Sequence, residues 1–222
     1  MTTNRYTLVI GDKNLSSWSL RPWLALKHCG IPFAEERVRL RQPDSKAEIL
    51  RHSPAGKVPV LKTKTGLVWE SLAILDYLAE HHPEHRLLPQ GEEARAAARS
   101  ISAEMHAGFA TLRNDMSMDL LSLLPSPPIS AALDADIRRI AAIWKDTRAR
   151  FGESGPFLFG AFSNADAMYA PVATRFRTYG VDLSRFGDDG SGTAYAAAIL
   201  ALPAMAEWTE GAKDELKARS GS

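Results

Sequence analysis

A change of character near residue 90 constrains this chain most. Before it, short β-rich runs alternate with short helical patterns; after it, the sequence is Ala-rich and reads as helix almost throughout. That layout asks for a small layered α/β unit followed by a helical one. The 222 residues fit one large domain or two small ones, and the shift in pattern selects two.

In the first part, Tyr6-Thr7-Leu8-Val9-Ile10 is a β-rich run ending at Gly11. Arg21 to His28 is helical with Gly30 as its stop, Phe33 to Leu40 alternates as a strand, and Asp44 to His52 is a short helix. Val58 to Leu61 and Leu67 to Trp69 are strands joined by a turn at Lys64-Thr65-Gly66. Ser71 to His82 is a helix with Leu72, Leu75, Leu78 and Ala79 on one stripe. The order βαβαββα makes the first two strands parallel and the last two antiparallel. Residues 83–90, with prolines at both ends, read as a linker between units 1–82 and 91–222. In the second unit the pattern predicts one long helix over Glu92 to Leu124, halted by Pro125, Pro127 and Pro128. Further helices are expected from Ser130, Ser163, Gly192 and Pro203.

Charge excludes several function classes. Lys and Arg number 27 against 26 Asp and Glu, so nothing points to nucleic acid or a membrane surface as partner. Arg37, Arg39 and Arg41 alternate along a strand, as a solvated face does. The N-terminus lacks the basic and long apolar segments of a secretion signal. One cysteine, Cys29, excludes an intramolecular disulfide and a Cys-built zinc cage, and a cytoplasmic location is expected. His81, His82 and His85 bracket Pro83 with no thiol nearby, so no metal is expected.

Three short segments carry candidate chemistry. Ser16-Ser17-Trp18-Ser19-Leu20-Arg21-Pro22 lies between the first strand and the first helix. With Ser19 as N-cap, Pro22 falls in the first turn, and Ser16 and Ser17 precede a helix end that favours an anion. Those hydroxyls either cap the helix or donate to a thiolate. Gly56-Lys57-Val58-Pro59 is either an ordinary strand start or, with a cis bond, an edge whose Val58 backbone pairs with an extended peptide. Glu70-Ser71 is either a plain helix start or a clamp for an α-ammonium and an α-carboxylate.

In this order the segments resemble the glutathione transferase superfamily, serine type, nearest its zeta and theta classes. The resemblance covers nearly the whole chain and includes Gly56-Lys57-Val58-Pro59-Val60-Leu61, Glu70-Ser71-Leu72-Ala73-Ile74 and Gly160-Ala161-Phe162-Ser163-Asn164-Ala165-Asp166. It implies a thioredoxin-like α/β N-terminal domain and an all-α C-terminal domain. It implies a homodimer, flatter than most because Ile49 to Gly56 lacks an aromatic key. It also implies glutathione as co-substrate, a small hydrophobic electrophile as acceptor, and a role in detoxification. By resemblance Ser16 steadies the thiolate, with Ser17 as the near alternative. Pro59 is cis, Val58 pairs with the cysteinyl backbone, Lys57 meets the glycyl carboxylate, and Glu70 and Ser71 hold the γ-glutamyl end. Trp18, Met105, His106, Phe109 and Arg113 are acceptor-pocket candidates, with core or salt-bridge roles as the alternative for the helical ones. Ser163 and Asp166 form a capping box of structural and not catalytic value, so Asp166→Ala should cost about 1–2 kcal/mol. Two other functions stay open. One is a glutathione-dependent isomerase of the maleylacetoacetate kind, although that class carries Cys where this chain has Trp18. The other is a transferase-like binding module without catalysis.

Overall fold

The computed structural model describes residues 5–220. Strand β1 (Tyr6–Ile10) is the spine of a four-stranded sheet that also contains β2 (Phe33–Arg37), β3 (Val60–Lys62) and β4 (Leu67–Trp69), in the order β2-β1-β3-β4. β1 and β2 are parallel, because helix α1 (Ser17–His28) carries the chain between them; β3 is antiparallel to both β1 and β4. The alternation along β1 splits its side chains between two cores. Leu8 and Ile10 face α1 and α3 (Ser71–His81), whereas Val9 packs with Val38, Val60 and Ile49 of α2 (Ser45–His52).

The remaining helices are α4 (Glu92–Ala107), α5 (Ala110–Asp115), α6 (Ala131–Phe151), α7 (Asn164–Thr178), α8 (Ser191–Leu200) and α9 (Pro203–Ser220). α7 is buried along almost its whole length. Trp144 of α6 packs edge-on against Tyr169, Phe176 and Tyr195. At the start of α7, Asp166 is fully buried and accepts hydrogen bonds from the Ser163 N–H (2.7 Å), the Ser163 hydroxyl (2.8 Å) and the Leu158 N–H (3.1 Å). The expected capping box is present and also ties down the preceding loop. No helix among the described residues is long and apolar enough to cross a membrane.

Three expectations are corrected. The long helix over 92–124 ends at Ala107. Gly108 is extended, with a would-be Cβ only 2.9 Å from the Glu104 carbonyl, and Phe109 takes the left-handed conformation at φ 58°. Beyond α5 the chain runs as a loop pinned to α7, for example through Leu124 N–H to Thr178 O at 2.7 Å. Second, the sheet strands are shorter than the β-rich runs: β2 stops at Arg37 and β3 begins at Val60. Third, α1 starts at Ser17, because the Ser16 hydroxyl accepts the Ser19 N–H and makes Ser16 the N-cap. Pro22 therefore sits in the second turn, where its missing N–H deprives the Trp18 carbonyl of its helical donor.

Candidate active site

A cavity of about 500 Å³ opens beside the sheet, lined by Ser16, Ser17, Trp18, Lys57, Val58, Pro59, Glu70, Ser71 and His106. Four separate segments meet there: the loop into α1, the turn into β3, the start of α3 and the end of α4. The Val58–Pro59 peptide bond is cis. Gly56, at φ 61°, makes the turn before Lys57, and its carbonyl accepts from Lys46 Nζ at 3.2 Å.

The two serines differ. The Ser16 hydroxyl donates to Ser19 Oγ at 2.7 Å while accepting the Ser19 N–H at 3.3 Å; Ser19 Oγ in turn accepts the Gly11 N–H at 3.0 Å. Ser17 Oγ accepts from Arg175 Nη2 at 3.2 Å. Both serines line the cavity and are 6% exposed.

On the far wall, Glu70 precedes α3 with a positive φ of 68°, a conformation a non-glycine residue holds at a cost of about 1–3 kcal/mol. This turn brings the Glu70 carboxylate to the cavity, with its Oε2 3.7 Å from His106 Nε2. Burial holds the His106 imidazole below its ordinary pKa, with Glu70 opposing the effect. Ser71 is fully buried, and its Oγ meets no hydrogen-bond partner among the described residues. An orphaned hydroxyl beside the free N–H groups of a helix start suits a carboxylate.

The acceptor-pocket candidates divide. Trp18 and His106 line the cavity and pack edge-on at 5.3 Å. Met105 and Phe109 are buried in the core and do not line it. Arg113 also lies outside the lining. Its Nη1 donates to the Met105 and His106 carbonyls, and its guanidinium sits 5.3 Å from the Trp18 ring centre. The sequence reading gave no role to Leu15, Leu40, Ile49 and Trp69, which line the cavity, or to the buried Arg21 and Arg175 behind it. One signal was available for Arg21: it stands four residues after Ser17 and so shares its helix face.

Outside the cavity, burial pushes the Cys29 thiol up to about 11, which keeps it protonated and unreactive near neutral pH. His82, Glu84 and His85 bring ligand-capable atoms within 4.8 Å of one another, and His82 also bonds Tyr6 through Nε2 at 3.0 Å.

Comparison with known proteins fits this geometry. The family model described as "Glutathione S-transferase, N-terminal domain" matches residues 15–81, and its C-terminal counterpart matches residues 127–211. The "Maleylacetoacetate isomerase" of Rattus norvegicus is 31% identical over 181 residues, 77% of each chain. The "Probable maleylacetoacetate isomerase" of Caenorhabditis elegans is 37% identical over 106 residues, 48% of this chain and 49% of that one. The chain thus spans about half the length of the nematode protein. Among solved structures, a glutathione transferase homologue from Burkholderia GL BGR1, crystallised with bound glutathione, superposes with a TM-score of 0.71. It has 22% identity over 94% of this chain and 98% of that one. The chain belongs to the glutathione S-transferase superfamily.

Proposed function

We propose that this protein is a glutathione transferase of the serine type, with glutathione bound in the 500 Å³ cavity and its thiol ionised at the start of α1. The observation that carries the reading is the convergence of four polar segments, far apart in sequence, on one cleft whose Ser71 hydroxyl is buried without a partner among the described residues. In this reading the Val58 backbone pairs with the cysteinyl unit and Lys57 meets the glycyl carboxylate. Glu70 takes the α-ammonium, and Ser71 with the α3 N-terminus takes the α-carboxylate. The thiol proton leaves to solvent. The thiolate then attacks an electrophilic carbon held near Trp18 and His106, forming a C–S bond as the acceptor's leaving group or π-electron pair departs. A thiol has an ordinary pKa of about 8.5, and lowering it to about 6.5 takes roughly 2.7 kcal/mol. A hydroxyl hydrogen bond to an anion supplies about 1.5–3 kcal/mol of that, and the helix N-terminus adds about 0.3–1 kcal/mol.

The test is calorimetric titration with glutathione and with S-methylglutathione, followed by turnover with a panel of electrophiles. Saturable binding of both and glutathione-dependent turnover are expected; absence of binding sinks the reading and leaves a module without glutathione chemistry. Glu70→Gln should weaken glutathione binding about tenfold, by removing the charge opposite the ammonium. An unchanged dissociation constant would remove Glu70 from the site.

A second reading is favoured by the rat relative, whose printed name is that of an isomerase. Turnover of a cis-dienyl diketo acid with catalytic and not stoichiometric glutathione would establish it over conjugation. The proposal extends to a cytoplasmic homodimer built of domains 1–82 and 91–222, and light scattering at micromolar concentration reads the oligomeric state.

A further inference from the structure

Behind Ser17 the interior holds three arginines with no acid paired to them among the described residues. Arg21, on the same face of α1, is fully buried. Arg175 reaches in from α7 and is 3% exposed, and Arg113 arrives half-buried from α5. Their hydrogen bonds go to neutral groups. Arg175 donates to Ser17 Oγ (3.2 Å), Met116 O (2.8 Å) and Pro171 O (3.0 Å). Arg21 Nε donates to Met168 O at 3.1 Å, and its Nη1 meets no acceptor among the described residues. Its guanidinium lies 4.1 Å from the centre of the Trp18 ring, with Arg113 5.3 Å away from the same centre. None of the three forms an ion pair among the described residues.

Buried cations are normally matched by an anion, because desolvation and mutual repulsion both disfavour them. The other titratable groups facing the cluster do not match it. Tyr169 and Tyr179 donate their phenol protons to the carbonyls of Ile101 and Ser117. Asp136 accepts the Leu112 N–H and acts on Arg113 alone of the three. His106 is held towards its neutral form, and Glu70 faces it across the cavity at 3.7 Å.

We propose that the missing counter-anion is the sulfur of bound glutathione, and that Arg175 positions Ser17 to meet it. The inference rests on the glutathione reading of the cavity. The Ser17 oxygen is occupied from behind by Arg175, which leaves its proton for an acceptor in the cavity; the Ser16 proton is committed to Ser19. Ser17 is therefore the hydroxyl that donates to the thiolate. Arg175 is a positioning residue acting through it, and Arg21 and Arg113 add to the positive field. The ionisation breaks only the S–H bond and releases its proton to solvent.

The experiment follows the ultraviolet thiolate band of the glutathione complex against pH, in the unaltered protein, Arg175→Gln and Arg175→Lys. Affinity for S-methylglutathione is measured in each. The screened interaction of a cation about two contacts from the sulfur predicts a rise in thiol pKa of about one to two units in Arg175→Gln. Arg175→Lys should recover part of it, and S-methylglutathione affinity should stay within about twofold, since that ligand carries no ionisable thiol. Arg113→Gln, at the half-buried position, should raise the pKa in the same direction by less and guards against a misfolded Arg175 variant. A thiol pKa unmoved in a folded Arg175→Gln protein that binds S-methylglutathione would overturn the proposal. So would parallel loss of both ligands, which would make Arg175 a fold-holding residue only. Failure of the unaltered protein to bind glutathione would instead overturn the underlying reading, and this one with it.

Discussion

Alanine at Ser16 and Ser17 together will cut turnover at neutral pH by about 3–25-fold and move the pH–rate profile upward. One hydroxyl hydrogen bond to a thiolate accounts for one to two pKa units of about 1.4 kcal/mol each. The sign is fixed by the reactive species. Without the donor the bound thiol's pKa rises, the thiolate fraction at pH 7 falls, and the deficit closes above about pH 9, where the thiol ionises unaided. Ser17→Ala alone should account for most of the loss. Ser16→Ala instead removes the α1 cap and should cost about 1 kcal/mol of stability, read as a lowered melting temperature. Rates of the double variant equal to the unaltered protein's from pH 6 to 8 would defeat the assignment of both hydroxyls.

Asp166→Ala will lower folding stability by about 3–5 kcal/mol and leave the Michaelis constant for glutathione unchanged in the folded fraction. A capping box alone is worth about 1–2 kcal/mol. Here the carboxylate also holds the Leu158 N–H, and the side chain is fully buried, so its removal strands donors that water does not reach. Urea unfolding measures the loss, and a stable but inactive variant would show a catalytic role instead. The group also carries a pH signature. Burial raises the Asp166 pKa from 3.8 to about 6 against the pull of the hydrogen bonds it accepts. A folded pKa above the unfolded one means its contribution is fully present below about pH 4 and is lost as pH rises through about 6. The stability difference between the unaltered protein and Asp166→Asn should therefore grow on acidification from pH 7 to 4. A flat difference would place the carboxyl pKa at its ordinary value.

Much of the scaffold could be read from residues whose physics is local. The Tyr6–Ile10 run, the turn at Gly66, the Ser163 cap and the order of strands and helices each follow from neighbours in sequence. The serine, Lys57–Pro59 and Glu70–Ser71 segments were legible in the same way, as helix starts and a strand start. The rest depends on contacts at long range. Phe109 and Arg113 continue the helical spacing of Met105 only if the helix runs through Gly108. The left-handed Phe109 breaks that phase, so Phe109 enters the core and Arg113 turns back onto the Met105 and His106 carbonyls, while Met105 is buried by α4 itself. Arg21 and Arg175 look like ordinary charged helix residues in sequence. Only the packing of α7 against α1 buries them, and no local pattern announces a cation without a partner.

α9 closes over the loop that carries the hydroxyls. Trp208 Nε1 donates to the Lys13 carbonyl at 2.8 Å, Glu215 accepts the Lys13 N–H at 3.0 Å, and Arg219 pairs with Asp12, just ahead of Asn14-Leu15-Ser16. Of the described elements, α9 is the last to emerge from the ribosome. The nascent chain can therefore finish its sheet before α9 adds its own brace to the loop in front of α1. A chain halted before α9 would hold its sheet strands and cleft-lining segments but lack the Trp208, Glu215 and Arg219 contacts to residues 12–13.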